Sequence, residues 1–213
     1  MTKNIKGIDV IISDIDQYMQ INDINGADLT KIWDEIKRDY PTYEKWICFN
    51  NYEEIPMILL NNIGATLEDN CIEMRMSVDN FTDAQTPNII RVNEKMLTEF
   101  LVHHTKCNPE NGASGDIVKR NFSQWGIFVS MEKGKIKDYI MVYMGNQVYG
   151  EIFCIEASDM NTCRDLITCA ARFTFDNGKN EILYMSNEDT MPYQMAFSAG
   201  FEIKGFYKGY KIK

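Results

Sequence analysis

The sequence predicts an α/β protein with a mixed central sheet flanked by helices, and with a partial repeat of that fold in its first half. Two observations in the second half predict the sheet: three apolar segments with short turn-like spacers, and then an alternation of helices and strands. A third observation, a similar pattern 136 residues upstream, predicts the repeat. The 213 residues are 45% hydrophobic, which is enough to bury a sizeable core.

The three apolar segments of the second half cover residues 126–130, 139–143 and 148–156. Spacers this short predict an antiparallel meander. One strand and two helical stretches are predicted before the meander, at 89–92, 94–105 and 116–125.

After the meander, residues 162–177 carry apolar side chains at helical spacing. Asp159 or Asn161 would cap the start of this helix, and Gly178 would end it. The apolar run 181–186 then predicts a short buried strand.

A further helix and strand are predicted beyond that run. Thr190 can cap the helix, Pro192 fits its first turn, and Gly200 can end it in a left-handed conformation. Residues 201–213 follow as a strand in which aromatic residues alternate with lysines. A half-buried strand that shows lysines to solvent explains this pattern better than a nucleic-acid site does.

The first half repeats part of this order. The pairs aligned by the offset are Pro56 with Pro192, Gly64 with Gly200, Asn51 with Asn187, residues 23–25 with 159–161, and strand 46–49 with 182–185. The first copy holds only the back part of the unit, as an extended segment near 10–21, helices near 29–38 and 55–63, and strands at 46–49 and 71–78. We therefore expect a truncated half domain over 1–86 and a complete domain over 87–213, separated by the polar stretch 79–87.

The charge and the cysteines exclude some classes of protein. A net charge of −9 and a pI near 4.8 argue against nucleic acid as a partner, because phosphate binding needs clustered Lys and Arg. No signal peptide and no window near the roughly 18 apolar residues of a membrane span are found. We expect a cytoplasmic protein without a membrane partner, with six reduced cysteines. A homo-oligomer is compatible with the sequence.

His103 and Cys107 lie four residues apart in a helical pattern, with His104 beside them. Two or three such ligands without a second cluster do not make a metal site. Nothing marks a cysteine as an activated nucleophile. No metal is therefore predicted.

The second half ends in an order of elements that resembles the GNAT superfamily of acyl-CoA-dependent N-acyltransferases. That family ends in a strand, an Asn-containing turn, a short helix running into Gly-Phe, and an aromatic-rich strand, which here are 181–186, Asn187, the helix before Gly200-Phe201, and 201–213. The resemblance covers about 87–213 as a full unit and 8–78 as a truncated one, as in a tandem form. It implies transfer of an acetyl or other acyl group from acetyl-CoA or another acyl-CoA to a small amine.

The resemblance also implies where the cofactor would bind. In the family the pantetheine arm lies along a strand where two parallel strands separate, and the pyrophosphate lies on the N-terminus of the next helix. The residues that match these positions are Cys154 and Ile155 on the strand, Asn161, Thr162, Cys163 and Arg164 in the phosphate loop, and Asn187.

The phosphate loop departs from the family pattern, which normally contains glycines that let the backbone approach the phosphates. Residues 159–165 read DMNTCRD, with no glycine and with Asp159 and Asp165 at the two ends. The corresponding loop of the first copy contains Gly26 but also Asp23 and Asp28. Two alternatives remain open: an enzyme with an altered or weak grip on acyl-CoA, and a non-catalytic binding module on the same fold.

For catalysis, the resemblance implies a carboxylate that takes the proton of the amine and a tyrosine that protonates the leaving thiolate. Glu151 and Glu156 lie on the matching strand, and their spacing of five predicts opposite faces, so that one of them at most faces the site. Glu151 is the candidate base. Ala196 stands where the family has its tyrosine, and Tyr193, one turn earlier, is the candidate acid.

Overall fold

A computed structural model describes residues 2–5, 8–14, 17–22, 29–50, 55–108 and 115–212. Contacts between residues divide the chain into two units, the first formed by Met1–Ile72 and Gly205–Lys213 and the second by Glu73–Lys204. Among the described residues, no helix combines the length and the apolarity that crossing a membrane requires.

The described residues of the first unit form a mixed sheet and two helices. Its elements are β1 (Thr2–Ile5), β2 (Ile8–Ser13), β3 (Tyr18–Asn22), α1 (Leu29–Asp39), β4 (Glu44–Asn50), α2 (Met57–Asn62), the first part of β5 (Ala65–Ser77) and most of β11 (Glu202–Ile212). The strand order is β1-β2-β3-β4-β11-β5. β3 and β4 are parallel, whereas β1 with β2, β2 with β3 and β4 with β11 are antiparallel.

The core of the first unit lies where α1 packs against the sheet. Leu29, Ile32, Trp33 and Ile36 are spaced at one helical face and are all buried. They belong to one cluster with residues such as Ile47 of β4. Burial of this apolar stripe explains why the helix forms here.

The second unit contains the order of elements that the sequence predicts for the second half, except for most of the final strand, β11. They are the end of β5, β6 (Ile89–Arg91), α3 (Glu94–Cys107), α4 (Gly115–Arg120), β7 (Trp125–Glu132), β8 (Lys135–Tyr143), β9 (Tyr149–Glu156), α5 (Met160–Asp176), β10 (Glu181–Ser186) and α6 (Met191–Ser198). The strand order is β5-β10-β9-β8-β7-β6. β6 to β9 form an antiparallel meander and β9 pairs with β10 in parallel, which confirms a mixed sheet flanked by helices.

Helices cover both faces of this second sheet. On one face, Phe100 of α3 and Val118 of α4 pack into a cluster with Tyr139 and Met141 of β8. On the other face, α5 approaches so closely that a side chain at Gly126 would collide with the ring of Phe173. Glycine is therefore required at this point of β7.

The predicted helix ends of the second unit are confirmed. Asp159, rather than Asn161, caps α5, and Thr190 caps α6 through its side-chain oxygen. Gly178 and Gly200 follow these helices with φ of 77° and 102°, a conformation that glycine adopts without strain.

Three of the elements differ clearly from the prediction. The extended segment near 10–21 is two antiparallel strands, β2 and β3, rather than one. The helical stretch 116–125 ends at Arg120, because Phe122–Gln124 form a 3-10 turn and Trp125 starts β7. The strand predicted at 71–78 is longer, since β5 begins at Ala65 in a polar run that gives no apolar signal.

The order β2-β3-α1-β4-α2-β5 in the first half matches β8-β9-α5-β10-α6-β11 in the second. Most of β11, the final strand of the second half, belongs to the first unit and pairs there with β4. The end of β5, the final strand of the first half, belongs to the second unit and neighbours β10 there. The amide of Val78 donates to the carbonyl of Asn180 at 3.0 Å next to that second pairing. The internal repeat and its boundary between residues 86 and 87 stay a prediction; residues 23–25 and Asn51 lie outside the described residues.

Candidate active site

The parallel strands β9 and β10 are paired over only part of their length. The register joins Tyr149–Ile152 to Glu181–Tyr184. β9 continues to Glu156, where it still pairs with β8 on its other side. An opening between β9 and β10 thus starts after Ile152.

A β-bulge lies at the same point of β9. Met141 of β8 is opposite Cys154, whereas the next residue, Val142, is opposite Ile152. Phe153 is therefore the extra residue, and a bulge of this kind bends its strand. The bulge helps β9 to diverge from β10.

The bulge also changes which side chains share a face. Residues directly opposite each other on paired strands point to the same side, and Glu151 is opposite Tyr143 while Glu156 is opposite Tyr139. Tyr139 and Tyr143 share a face of β8, so Glu151 and Glu156 also share one. The prediction that these carboxylates lie on opposite faces is wrong, because one inserted residue shifts the alternation.

Glu151 is half-buried at the start of the opening. Burial raises the pKa of its carboxyl group, because desolvation disfavours the charged form. Tyr149 lies on the same face, and the pKa of its phenol is raised by burial and by the charge of Glu151. A carboxylate with a raised pKa is suited to accept a proton near neutral pH.

Glu156 is held in a polar network that the sequence did not indicate. Asn108 Nδ2 donates to Glu156 Oε1 at 3.1 Å and to Tyr139 Oη at 2.6 Å. Tyr139 Oη is also 2.8 Å from His104 Nδ1 and 3.7 Å from Cys154 Sγ. Burial is the largest cause of the raised pKa of the Tyr139 phenol. The network ties α3 to the end of β9 and engages Glu156 structurally.

The two histidines of α3 make different contacts. His103 Nε2 lies 3.6 Å from Cys107 Sγ, and His104 points to the tyrosine network instead. In the part of the chain that the structure describes, no group of three or more His, Cys, Asp or Glu side chains could hold a metal.

The N-terminus of α5 is occupied by Asp159. Its Oδ1 accepts from Thr162 N at 2.9 Å and its Oδ2 accepts from Thr162 Oγ1 at 2.8 Å. These bonds lower the pKa of the carboxyl group, beginning with the one from the backbone. A negative charge and a used backbone N–H therefore stand where the family places a pyrophosphate.

The other predicted phosphate-loop residues show a similar result. Cys163 is fully buried, and burial raises the pKa of its thiol to about 12. The guanidinium of Arg164 is paired with Asp165 at 3.2 Å. Asn161 is exposed. The strand edge beyond Ile152 fits a pantetheine arm, but this helix terminus does not fit a pyrophosphate.

Asn187 follows β10, and Tyr193 lies on α6. Thr190 Oγ1 donates to the carbonyl of Asn187 at 3.0 Å and accepts from the amide of Tyr193 at 3.2 Å. Tyr193 is half-buried on α6, which packs against α5. Glu151 lies on the face covered by α3 and α4, so the two candidate catalytic residues belong to opposite sides of the sheet.

The predicted strand residues divide between the two faces. Cys154 joins the cluster under α3, whereas Ile155 is opposite Ile140 on the α5 side. A separate groove of about 690 Å³ lies between α3 and α4, and its lining contains none of the predicted site residues.

No family model and no curated protein matches the chain, but solved structures do. A conserved protein of unknown function from Staphylococcus epidermidis has a TM-score of 0.66 at 11% identity, over 96% of this chain and 90% of its own. A GCN5-related N-acetyltransferase from Kribbella flavida has 0.65 at 10%, over 100% and 89%. A tandem GNAT protein from the clavulanic acid biosynthesis pathway, without AcCoA, has 0.59 at 10%, over 96% and 77%.

These similarities show that the chain has the fold of the GCN5-related N-acetyltransferases, the GNAT fold. The resemblance seen in the closing passage of the sequence is confirmed at the level of the fold.

Proposed function

We propose that the protein is an N-acyltransferase that moves an acetyl or other acyl group from acyl-CoA to a small amine by direct transfer. One observation carries the proposal: the half-buried carboxylate of Glu151 lies where β9 and β10 part. In an enzyme of this fold, the acyl chain and the amine have to meet at such an opening.

Glu151 takes the role of the general base. An amine is protonated at neutral pH and has no free electron pair, so it cannot attack a carbonyl carbon. The raised pKa of Glu151 lets its carboxylate remove that proton, directly or through a water molecule. Tyr193 is proposed as the general acid; because it belongs to the opposite side of the sheet from Glu151, its Oη would have to reach the leaving thiolate through the opening between β9 and β10.

Acetyl-CoA, when bound, supplies an activated acyl thioester. The backbone of Cys154 and Ile155, on the stretch of β9 beyond its pairing with β10, would hold the pantetheine arm. Asn161, Thr162, Cys163, Arg164 and Asn187 stay the proposed contacts to the rest of the cofactor, although Cys163 is buried and the amide of Thr162 already donates to Asp159. Because Asp159 occupies the helix terminus, the phosphates would contribute little to binding.

A second candidate function is a non-catalytic binding module on the same scaffold. The capping of α5 by Asp159 favours it, because the cap removes the usual phosphate site. Under either function we propose a cytoplasmic protein, in agreement with the six free cysteines.

Calorimetric titration with acetyl-CoA and with CoA distinguishes the acyltransferase from the binding module. The acyltransferase should bind both at concentrations up to about millimolar, and acetyl-CoA should acylate an amine in a coupled thiol assay. Absence of binding at millimolar cofactor would contradict the enzyme proposal and favour the binding module.

A further inference from the structure

An aromatic surface lies directly beside Glu151. Trp125, Tyr143 and Glu151 are opposite one another across β7, β8 and β9, so their side chains stand in a row on one face. The ring centroids of Trp125 and Tyr143 are 4.9 Å apart, and those of Trp125 and Phe153 are 5.5 Å apart. The carboxylate therefore has an aromatic wall on one side.

Two of these aromatic residues point to a ligand: Phe153 is exposed, and Trp125 carries a buried N–H without a partner in the described part of the chain. Phe153 lies on β9 just beyond its pairing with β10 and is 40% exposed. Trp125 is only 4% exposed, and its Nε1 has no hydrogen-bond partner among the described residues. An unpaired buried N–H is costly, and an acceptor atom on a ligand would satisfy it.

The other side of Glu151 is acidic. Arg75 lies over the ring of Tyr149, with 5.0 Å between the guanidinium carbon and the ring centroid. It pairs with Glu73 at 2.6 Å and with Glu181 at 2.9 Å. Glu73 and Glu181 thus outnumber the one guanidinium that pairs with them, and together with Glu151 this excess of negative charge favours a cationic ligand.

We propose that Trp125, Tyr143, Phe153 and Glu151 form an aromatic-acidic pocket for a small primary amine that carries its cationic group on a flat apolar ring. The ring stacks on the aromatic side chains, the ammonium group lies at Glu151 next to aromatic faces, and a polar atom on the ring accepts from Trp125 Nε1. The identification of this amine as the acyl acceptor rests on the proposed function, whereas its binding does not.

Calorimetry on the full chain without acyl-CoA tests the pocket, with tyramine as the probe. Two comparison ligands separate the contributions: spermidine has amines but no ring, and tyrosol has the ring and the hydroxyl of tyramine but no amine. We expect tyramine to bind about tenfold or more tightly than either. Binding of spermidine equal to or tighter than that of tyramine would overturn the proposal, as would no detectable tyramine binding.

A single-residue variant tests whether tyramine binds at this pocket. Phe153→Leu keeps an apolar side chain but removes the ring, and it should lower the affinity for tyramine about three- to tenfold. Phe197→Leu is the matched control, because Phe197 is 59% exposed on α6, which packs against α5, and it should leave the affinity unchanged. Equal effects of the two changes would contradict the pocket.

The pocket and the acyltransferase proposal can fail independently of each other. Tyramine binding that depends on Phe153, together with no acetyl-CoA binding, would keep the pocket and remove the acyltransferase. Acetyl-CoA turnover with spermidine but not with tyramine would do the reverse.

Discussion

The two ends of the candidate active site differ in how well they suit an acyl-CoA. At one end, β9 leaves β10 after Ile152, next to the bulge at Phe153 and to Glu151. At the other end, Asp159 caps α5 with a negative charge and occupies a backbone N–H. The register of a sheet depends on the pattern of many side chains, whereas a phosphate loop depends on a few residues. The opening between β9 and β10 can therefore be present in a chain whose helix terminus does not suit phosphates.

Replacing Glu151 is expected to have the largest effect. Glu151→Gln should lower kcat/KM for amine acylation by roughly 10²- to 10⁴-fold, because it removes the proposed general base while leaving the opening between the strands intact. Initial rates and acetyl-CoA binding should be measured together, and binding should not change.

Glu156→Gln is the matched control, since Glu156 shares the face of Glu151 but is engaged by Asn108. If it lowers the rate as much as Glu151→Gln, the assignment of the base is wrong. Unchanged turnover in a variant carrying both Glu151→Gln and Tyr193→Phe would remove both roles.

Replacing Asp159 should have a smaller effect that acts only on the phosphate end. Asn caps helices as well as Asp does, so Asp159→Asn removes the charge and keeps the cap. Acetyl-CoA should then bind about two- to fivefold more tightly, because a charge at a helix terminus is worth roughly 0.3–1 kcal/mol. S-acetylpantetheine, which has no phosphates, should bind as before; titration of both ligands measures this.

Asp176→Asn removes the same charge at the opposite end of α5 and should change neither affinity. If Asp159→Asn raised the affinities for acetyl-CoA and S-acetylpantetheine equally, the charge of Asp159 would not act on the phosphates. The two ends of the site would then not differ in the way described.

The smallest expected effect is on stability. The folded-state pKa of Glu151 is raised, so the folded protein binds more protons than the unfolded chain between the ordinary and the raised value, and stability falls as the pH rises through that window. Glu151→Gln should therefore stabilise the protein at high pH and lose this gain as the pH falls. Urea unfolding between about pH 8 and about pH 4 measures the change.

Glu188→Gln, at an exposed turn position, should show no such dependence on pH. A constant difference between Glu151→Gln and the parent protein across that range would mean that the buried carboxylate does not titrate with a raised pKa.

The elements with strong local signals could be predicted from the sequence. Thr190, Pro192 and Gly200 mark the two ends of α6 through backbone chemistry that acts within one turn, and the structure follows them. Asp159 and Gly178 do the same for α5.

The features that could not be predicted depend on contacts distant in sequence. No side chain near Phe153 marks a bulge, because the bulge is defined by the register with β8. The contact of Asn108 with Glu156 joins residues 48 positions apart, and no spacing rule reaches that far. The departure of the phosphate loop was visible, since an absent glycine and an Asp at the cap position are local.

The placement of the final strands has a consequence for folding kinetics. β11 completes the sheet beside β4, and the hydrogen bond between Cys48 and Tyr207 at 2.8 Å joins residues 159 positions apart. Contacts of such high sequence separation require the closure of a long loop before they stabilise anything, which slows folding. The first unit should therefore remain incomplete until β11 is available, with the edge of β4 exposed to pairing with other chains during that time.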